Sequence, residues 1–555
     1  MADERGTTSG FQQKLGLFDA TMLIAGTMIG SGIFIVSADI ARDVGASGWL
    51  LAVWVMTGVV TIMGGLAYAE LAAMMPRAGG QYVFLREAFS PLWGFLYGWT
   101  VLLVIQTGSI AAVSVAFAKF LGVLVPQLGT GEAALLMKIS FDKPVQVFLP
   151  LPWSNTPLQV FERTEFTIHA GQLVGVAVIV LLTWLNCRGV REGSLIQNVF
   201  GLAKTLGLMV LIFAGLFAAS SAVVIASNQS DPWTGILTTP RFADVKKLVN
   251  LPPGIVALMV AGGAMVGALF SADAWNNVTF TAGEVKNPQR TLPLSLILGP
   301  GLVIGLYLLA NLSYLAALPL QTETTRTVTV LEERAKEAER AGDEKTAKAL
   351  REEAEGVLDR ASVLDRGISR AKGDRVATAV MSLTSPGVGV WFIAVAVMIS
   401  TFGCVNGMIL MGARLYYAMA QDGLFFSQVG SLNTRGVPAA GLIIQSAWSI
   451  LLVFSGSYNE LLDYVIFAAL LFYALTVSGL FVLRYKQPNL PRPVKAFGYP
   501  TIPALYVVFC TLIMLDLLIV RPEYTWPGLV LVLAGIPVYF VWRLLGRKPV
   551  ADSTH

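Results

Sequence analysis

Apolar runs long enough to cross a lipid bilayer recur along the 555-residue chain, each set off from the next by a polar stretch. They fall near residues 16–41, 48–75, 91–121, 167–187, 194–220, 254–280, 291–318, 386–417, 438–456, 460–484, 500–520 and 526–545. A helix needs roughly 20 mostly apolar residues to span the hydrocarbon. The pattern therefore predicts an all-α polytopic membrane protein with about 12 transmembrane helices. A polar segment at 1–15 leads into the first span, and a polar tail occupies 546–555. The leading segment carries Asp3 and Glu4 and meets an apolar run too long for the core of a cleavable signal, so the first span is expected to stay in the mature protein.

Two insertions interrupt the pattern. Residues 122–166, which include KPVQVFLPLPWSNTP, read as an irregular loop with a short reentrant or interfacial piece. Residues 328–372 differ: Leu331, Ala335 and Ala338, then Ala347, Leu350, Ala354, Val357, Ala361 and Leu364, recur by threes and fours around Gly342-Asp343. That spacing predicts a charged helical hairpin with a seam of small residues. It is read as a solvated decoration, with a docking arm for a partner protein as the alternative.

Charge sets the orientation. With the N-terminus in the cytoplasm, the inside segments hold Arg5, Lys14, Arg77, Arg86, Arg188, Arg191, Lys286, Arg290, Arg414, Arg435 and Arg484, whereas the short outside loops hold little beyond Arg42 and Arg521. Both termini are thus read as cytoplasmic and both insertions as external. The composition, 55% hydrophobic and 13% charged with a net charge of +4, offers no surface for a nucleic acid. Cys187, Cys404 and Cys510 lie in or at the ends of spans, and beside His169 and His555 they form no metal-ligand spacing. Neither a metal nor another cofactor is expected, and no convergent set of nucleophile and base points to an enzyme.

The first span contains GTMIGSGIF, Gly26 to Phe34. Each glycine costs a helix about 1 kcal/mol relative to alanine, so three within seven residues invite it to open. Unpaired peptide groups at membrane depth are costly, so an opened helix persists only where it lines a cavity or meets a ligand. Amides at Gly30, Ser31 and Gly32 would face an anionic group such as a small carboxylate. Close helix packing, as in the pairing of Gly26 with Gly30, accounts for two of the glycines but not for the third or for the serine between two of them.

GTMIGSGIF, YAELAAMMPRAGGQYVFLREAF at Tyr68 to Phe89, NCRGVREGSLIQN at Asn186 to Asn198, and STFGCVNGMILMGARLYYAMAQDG at Ser400 to Gly423 together carry a resemblance. The chain resembles amino acid permeases of the amino acid, polyamine and organocation superfamily, most of all the L-type amino acid transporter branch and its bacterial relatives. The resemblance implies two inverted five-helix repeats, 16–220 and 254–484, followed by two further spans at 500–545. It also implies that the first and sixth spans are discontinuous and hold the substrate between them. GAMVGALFSADAWNNV, Gly263 to Val278, and GEVKNPQRTLP fit the sixth. By resemblance, amides at Ser31 and Gly32 hold the substrate carboxylate, carbonyls of Phe270, Ser271 and Asp273 accept from its ammonium, and the Phe270 ring closes over it. Ala274 stands where glycine is common.

Charges inside spans are functional candidates. The resemblance places Lys204 against the first break, where its ammonium would occupy the space of a sodium ion and meet hydroxyls such as Ser400 or Thr401. Snorkelling to the interface is the alternative. Asp273 pairs either with a substrate ammonium or with amides of the broken helix. Glu70 reads as a structural partner and Arg414 as an interface anchor. Thr27 is a possible substrate contact, though a threonine hydroxyl commonly returns to its own helix. Trp275 reads as packing beneath a gate or as a direct contact. These residues imply a sodium-independent secondary transporter of small to medium neutral L-amino acids in a bacterial inner membrane, working by exchange or proton symport. A permease for cationic amino acids or polyamines, a channel, and a non-transporting amino acid sensor are the alternatives. Some eukaryotic members of this branch pair with a glycoprotein through a cysteine in the loop between the third and fourth spans. Residues 122–166 have no cysteine, so no disulfide-linked partner is expected.

Overall fold

The computed structural model describes residues 13–149, 158–455 and 458–544; most of the leading segment and all of the expected tail 546–555 lie outside them. Among the described residues, ten helices are long and apolar enough to cross a membrane. One further span is bent by 43° between Leu17–Met28 and Gly32–Val44, and the shorter apolar helix Ala439–Val453 stands ninth in order. All twelve predicted windows thus coincide with helix. The chain is an all-α polytopic membrane protein, and large apolar side chains such as Val180, Leu206, Phe217, Leu512 and Phe540 cover its perimeter. That is what a lipid solvent asks of a surface.

Helix ends differ from the windows where polar residues continue a helix. The fourth span, Ala170–Arg188, is separated from the fifth, Val190–Phe213, by Gly189 alone, because VREG extends the fifth helix backwards rather than forming a loop. The second span, Ser47–Met74, packs along the seventh, Pro288–Ala317, through glycine. A Cβ on Gly65 would stand 2.5 Å from the Leu296 carbonyl oxygen. Such close backbone approach is how small residues hold membrane helices together.

Much of the insertion at 122–166 is not an irregular loop, and residues 150–157, at the end of the KPVQVFLPLPWSNTP run, lie outside the described residues. Strands Leu135–Leu149 and Leu158–His169 pair antiparallel, with Ile139 opposite Phe166 and Val147 opposite Phe161. Alternation in LLMKISF and LQVFERTEF supplies the strand pattern. Pro144, which cannot donate to a ladder, coincides with the register shift between Ser140 and Val145.

The second insertion is a helical hairpin, Glu323–Arg340 and Glu344–Arg360. Val328, Leu331, Ala335, Ala347 and Ala354 are buried along its seam, whereas Leu364 is exposed because the second helix has already ended. Thr322 and Asp343 cap the two N-termini, each accepting a backbone N–H three residues on.

Both insertions share one end of the helix bundle. At this hairpin end, the segment after the helical hairpin returns to the first span: Arg42 donates to the Ser369 carbonyl at 2.7 Å and to Asp374 at 2.8 Å, and also pairs with Asp39. Lys119 stands 3.6 Å from Asp374. Burial opposes the charged form of Asp374, but Arg42 and Lys119 outweigh it and hold its carboxyl below the usual range. The contribution of the Asp374 ion pairs is therefore complete above the ordinary carboxylate titration and is lost only as pH falls below it. Arg42→Gln is expected to cost about 2 kcal/mol locally and to speed amide exchange across 32–44 by roughly thirtyfold. Hydrogen exchange read by mass spectrometry tests this, and unchanged protection would show that the cluster holds nothing.

At the opposite end the chain ahead of the first span is fixed to the end of the sixth. Lys14 and Leu15 donate their backbone N–H to the Glu284 carbonyl at 2.8 and 3.0 Å, and Lys286 N–H returns to Leu15 at 2.8 Å.

Candidate functional site

The first span opens between Met28 and Gly32. Gly30 N–H folds back to the Met28 carbonyl at 2.8 Å, and the second half starts afresh at Gly32 with Ser31 as its cap. A helix start leaves its first-turn N–H groups without the usual acceptor four residues back, and here Phe34 N–H returns to the Ser31 carbonyl at 3.1 Å. Opening also frees carbonyls of the first half, and side chains of the fifth and eighth spans meet them. Lys204, 1% exposed, donates its ammonium to the carbonyls of Gly26, of Ile29 at 3.0 Å and of Ser400 at 3.3 Å. The Ser400 hydroxyl donates to Ile29 and Gly30 at 2.9 and 3.1 Å. Cys404 Sγ contacts the Thr27 carbonyl at 2.9 Å.

Lys204 therefore turns inward and does not snorkel. It meets the backbone carbonyl of Ser400 rather than its hydroxyl. Thr401 takes no part in the break, since its hydroxyl bonds the Val397 and Met398 carbonyls of its own helix. Thr27 likewise returns to Leu23 and Ile24 at 2.9 and 3.0 Å.

The sixth span opens after Pro253–Ser271 and resumes as a narrower 3₁₀ helix, Trp275–Glu284. Ala274 occupies the left-handed region at φ +67°, where glycine is at ease and alanine costs about 1 kcal/mol. The substitution noted in the sequence thus leaves the break intact and strains it. The two breaks touch: a Cβ on Gly32 would lie 2.0 Å from Ser271 Oγ. Tyr307 of the seventh span joins them, its hydroxyl lying 2.8 Å from the Met28 carbonyl and 3.1 Å from that of Ser271. The Phe270 carbonyl accepts the Asp273 N–H at 3.1 Å.

Asp273 is buried, and its Oδ1 accepts the Tyr473 hydroxyl at 2.5 Å, with the Ala274 N–H also facing the carboxylate. Tyr473 reaches Asn276 at 3.1 Å, Asn276 donates to Gln81 at 2.7 Å, and Gln81 donates to Thr476 at 2.9 Å. Asn277 and Gln106 face each other at 3.4 Å. Gln106 follows a wide π turn, Val101–Ile105, in the third span, the kind of irregularity that often marks functional sites. Two small cavities flank Tyr473 and share Asp273 in their walls; one is lined by Tyr97, Gln106 and Asn277, the other by Trp275 and Tyr506. Trp275 packs edge-on against Tyr68 at 4.8 Å and lies beside Tyr473 at 5.5 Å. The Phe270 ring is buried and lines neither cavity.

Arg414 is fully buried and donates to Glu284 at 2.8 Å, so it is an internal ion pair and not an interface anchor. Glu70 binds Arg484 and the Ala496 N–H at 2.7 Å. Tyr307, Tyr473, Cys404 and Gln106 were missed in the sequence. The signal for the two tyrosines was a phenol in mid-span, where a hydroxyl must find a partner.

A family model described as amino acid permease matches residues 15–335 and 361–540. The chain belongs to the amino acid permease family. The gap in that match lies wholly within the helical hairpin. This permease is 26% identical over 550 residues, 99% of its chain and 84% of the relative, to large neutral amino acids transporter small subunit 2 of Mus musculus. It is 28% identical over 537 residues, 96% of its chain and 89% of the relative, to b(0,+)-type amino acid transporter 1 of Homo sapiens. The matched family and both relatives are transporters. The name of the first relative describes one subunit of a larger assembly.

Proposed function

We propose that this permease is a sodium-independent exchanger or proton symporter of small to medium neutral L-amino acids, working by alternating access between two inverted repeats, 16–220 and 254–484, with 500–545 as peripheral spans. The observation that carries the reading is the contact of the two breaks, bridged by Tyr307. A zwitterion between them would meet N–H groups at Ser31 and Gly32 with its carboxylate, and the backbone carbonyls of Phe270, Ser271 and Asp273 with its ammonium. Polar groups at Gln106, Asn277 and Tyr473 stand where the side chain would extend. The Lys204 ammonium on the first-break carbonyls supports sodium independence, because a fixed cation there repels another.

A second reading, cationic amino acids, is favoured by the Asp273 carboxylate facing the same cavities. Lys and Arg placement supports cytoplasmic termini, and a bacterial inner membrane is part of the same proposal. The absence of cysteine from 122–166 supports a chain with no disulfide-linked partner at that loop.

Counterflow in proteoliposomes tests these readings together. Unlabelled alanine, serine or leucine outside is expected to accelerate release of the same labelled amino acids, equally with and without sodium. Acceleration by lysine and arginine alone would replace the first reading with the second. No acceleration by any amino acid would overturn both.

A further inference from the structure

Asp516 is an ionisable residue within a span that the site above does not use. It lies in the eleventh span, Thr501–Val520, four residues before its end, or about 6 Å at 1.5 Å per residue. Both carboxylate oxygens are buried, and neither has a hydrogen-bond partner among the described residues. What covers them is bare helix: a Cβ on Gly262, in the first half of the sixth span, would stand 2.7 Å from Oδ2. A carboxylate so placed without a partner is expensive as an anion and inexpensive as the neutral acid.

The surrounding charges are few. Pro253–Ser271 carries no ionisable residue. Arg241, on the short helix Pro240–Val249 at the hairpin end, is the charge that acts on Asp516, yet its guanidinium donates instead to the Val520 carbonyl at 2.9 Å. Asp244, Lys246 and Lys247 of the same helix turn to solvent or to an open polar basin, and Arg521 is held by Asp43. The second, tenth and twelfth spans also pack on the eleventh. Their Glu70 and Arg484 pair with each other at the opposite end, where Lys486 and Arg543 also lie, and Tyr473 is held by Asp273. Glu460, Asp463 and Glu523 fall among side chains outside the description. A solvent-open cavity lined by Arg241, Arg521, Asp43 and Gly263 stops one residue from Gly262.

We propose that Asp516 is a proton-exchanging residue of the transport cycle, neutral while the first half of the sixth span covers it and paired as a carboxylate with Arg241 when that half moves away. On opening, the O–H bond of the acid breaks, the electron pair stays on the carboxylate, and the proton passes to water in the adjoining cavity. Closing reverses the step. The proposal rests on the alternating-access reading above. It predicts that protons at the hairpin end favour the covered arrangement and alkali the open one.

The test is counterflow of alanine with the pH at the hairpin end varied between about pH 5 and about pH 8. The wild-type rate is expected to change roughly threefold or more. Asp516→Asn, a mimic of the neutral acid, should give a flat profile. Arg241→Gln should keep the dependence but move it to higher pH. A wild-type profile in Asp516→Asn would overturn the proposal. Should Asp516→Asn fail to fold, infrared difference spectra of wild type and Asp516→Glu over the same pH range decide the matter. A carboxylic acid C=O band that shifts in Asp516→Glu supports the proposal, and identical spectra overturn it. The infrared result stands even if no amino acid is exchanged, so loss of the transport reading and loss of this proposal are separate outcomes.

Discussion

Lys204→Ala is expected to lower amino acid exchange by roughly a hundredfold. The ammonium serves carbonyls at Gly26, Ile29 and Ser400, all enclosed among the first, fifth and eighth spans. Ser400 Oγ still reaches Ile29, so that carbonyl keeps a donor after the substitution. The Gly26 carbonyl loses its donor, whereas Ser400 lies inside the continuous helix Val388–Gln421, where a carbonyl accepts the N–H four residues on; an orphaned buried carbonyl costs about 1–3 kcal/mol. The upper figure, about 3 kcal/mol against the open form of the helix, corresponds to roughly a hundredfold, since a tenfold loss accompanies each 1.4 kcal/mol. The chain has a cheaper alternative, which is to close the break and regain helical bonds, and a closed break presents no N–H groups to a carboxylate. Lost binding of unlabelled alanine by a protein that still purifies as a monodisperse species would locate the defect in the break. Exchange near the wild-type rate would show that the opened helix stands without the ammonium.

How much of this was legible in the sequence depends on the distance over which each feature is determined. The twelve spans were, because burial in lipid is decided residue by residue by apolar content. The first break was, because three glycines and a serine at membrane depth have few other uses. The helical hairpin was, through its seam at Leu331, Ala335, Ala347 and Ala354. The β-hairpin was misread, since short alternating runs beside a proline-rich stretch look alike in loops and in strands, and Pro144 masked the strand it interrupts. Side-chain partners were less legible still. Arg414 meets Glu284 across 130 residues, and Tyr473 meets Asp273 across 200, pairings that no local pattern contains. Thr401 and Ser400 are neighbours with equal hydroxyls, and only the helical rotation between them sends one into the break and the other back to its own turn. Asp516 was legible as a charge inside a span but went unremarked, and that it lacks a partner among the described residues is visible only in three dimensions.

Gly32→Ala is expected to be the more damaging of the two methyl additions at Gly30 and Gly32 in the first break. The added Cβ would stand 2.0 Å from Ser271 Oγ, 2.7 Å from its Cβ and 3.1 Å from its Cα. Rotation of the serine relieves the first contact, but the Cβ and the backbone behind it cannot turn aside. The two breaks must therefore move apart by a large fraction of an ångström, at a cost of about 1–3 kcal/mol for overpacking. A substrate held by peptide groups from both sides would lose reach to one of them, so exchange should fall by roughly tenfold to a hundredfold. Gly30→Ala meets only Cys404, with Sγ at 3.1 Å and Cβ at 3.7 Å, and a thiol can give way; its loss should be several times smaller. Pairing Gly32→Ala with Ser271→Gly removes both the hydroxyl and the Cβ that collide, and should recover most of the activity, whereas Ser271→Ala keeps the Cβ and should recover little. Gly32→Ala exchanging at the wild-type rate, or no difference between the two second-site changes, would mean that the breaks are not in contact at the step that limits transport.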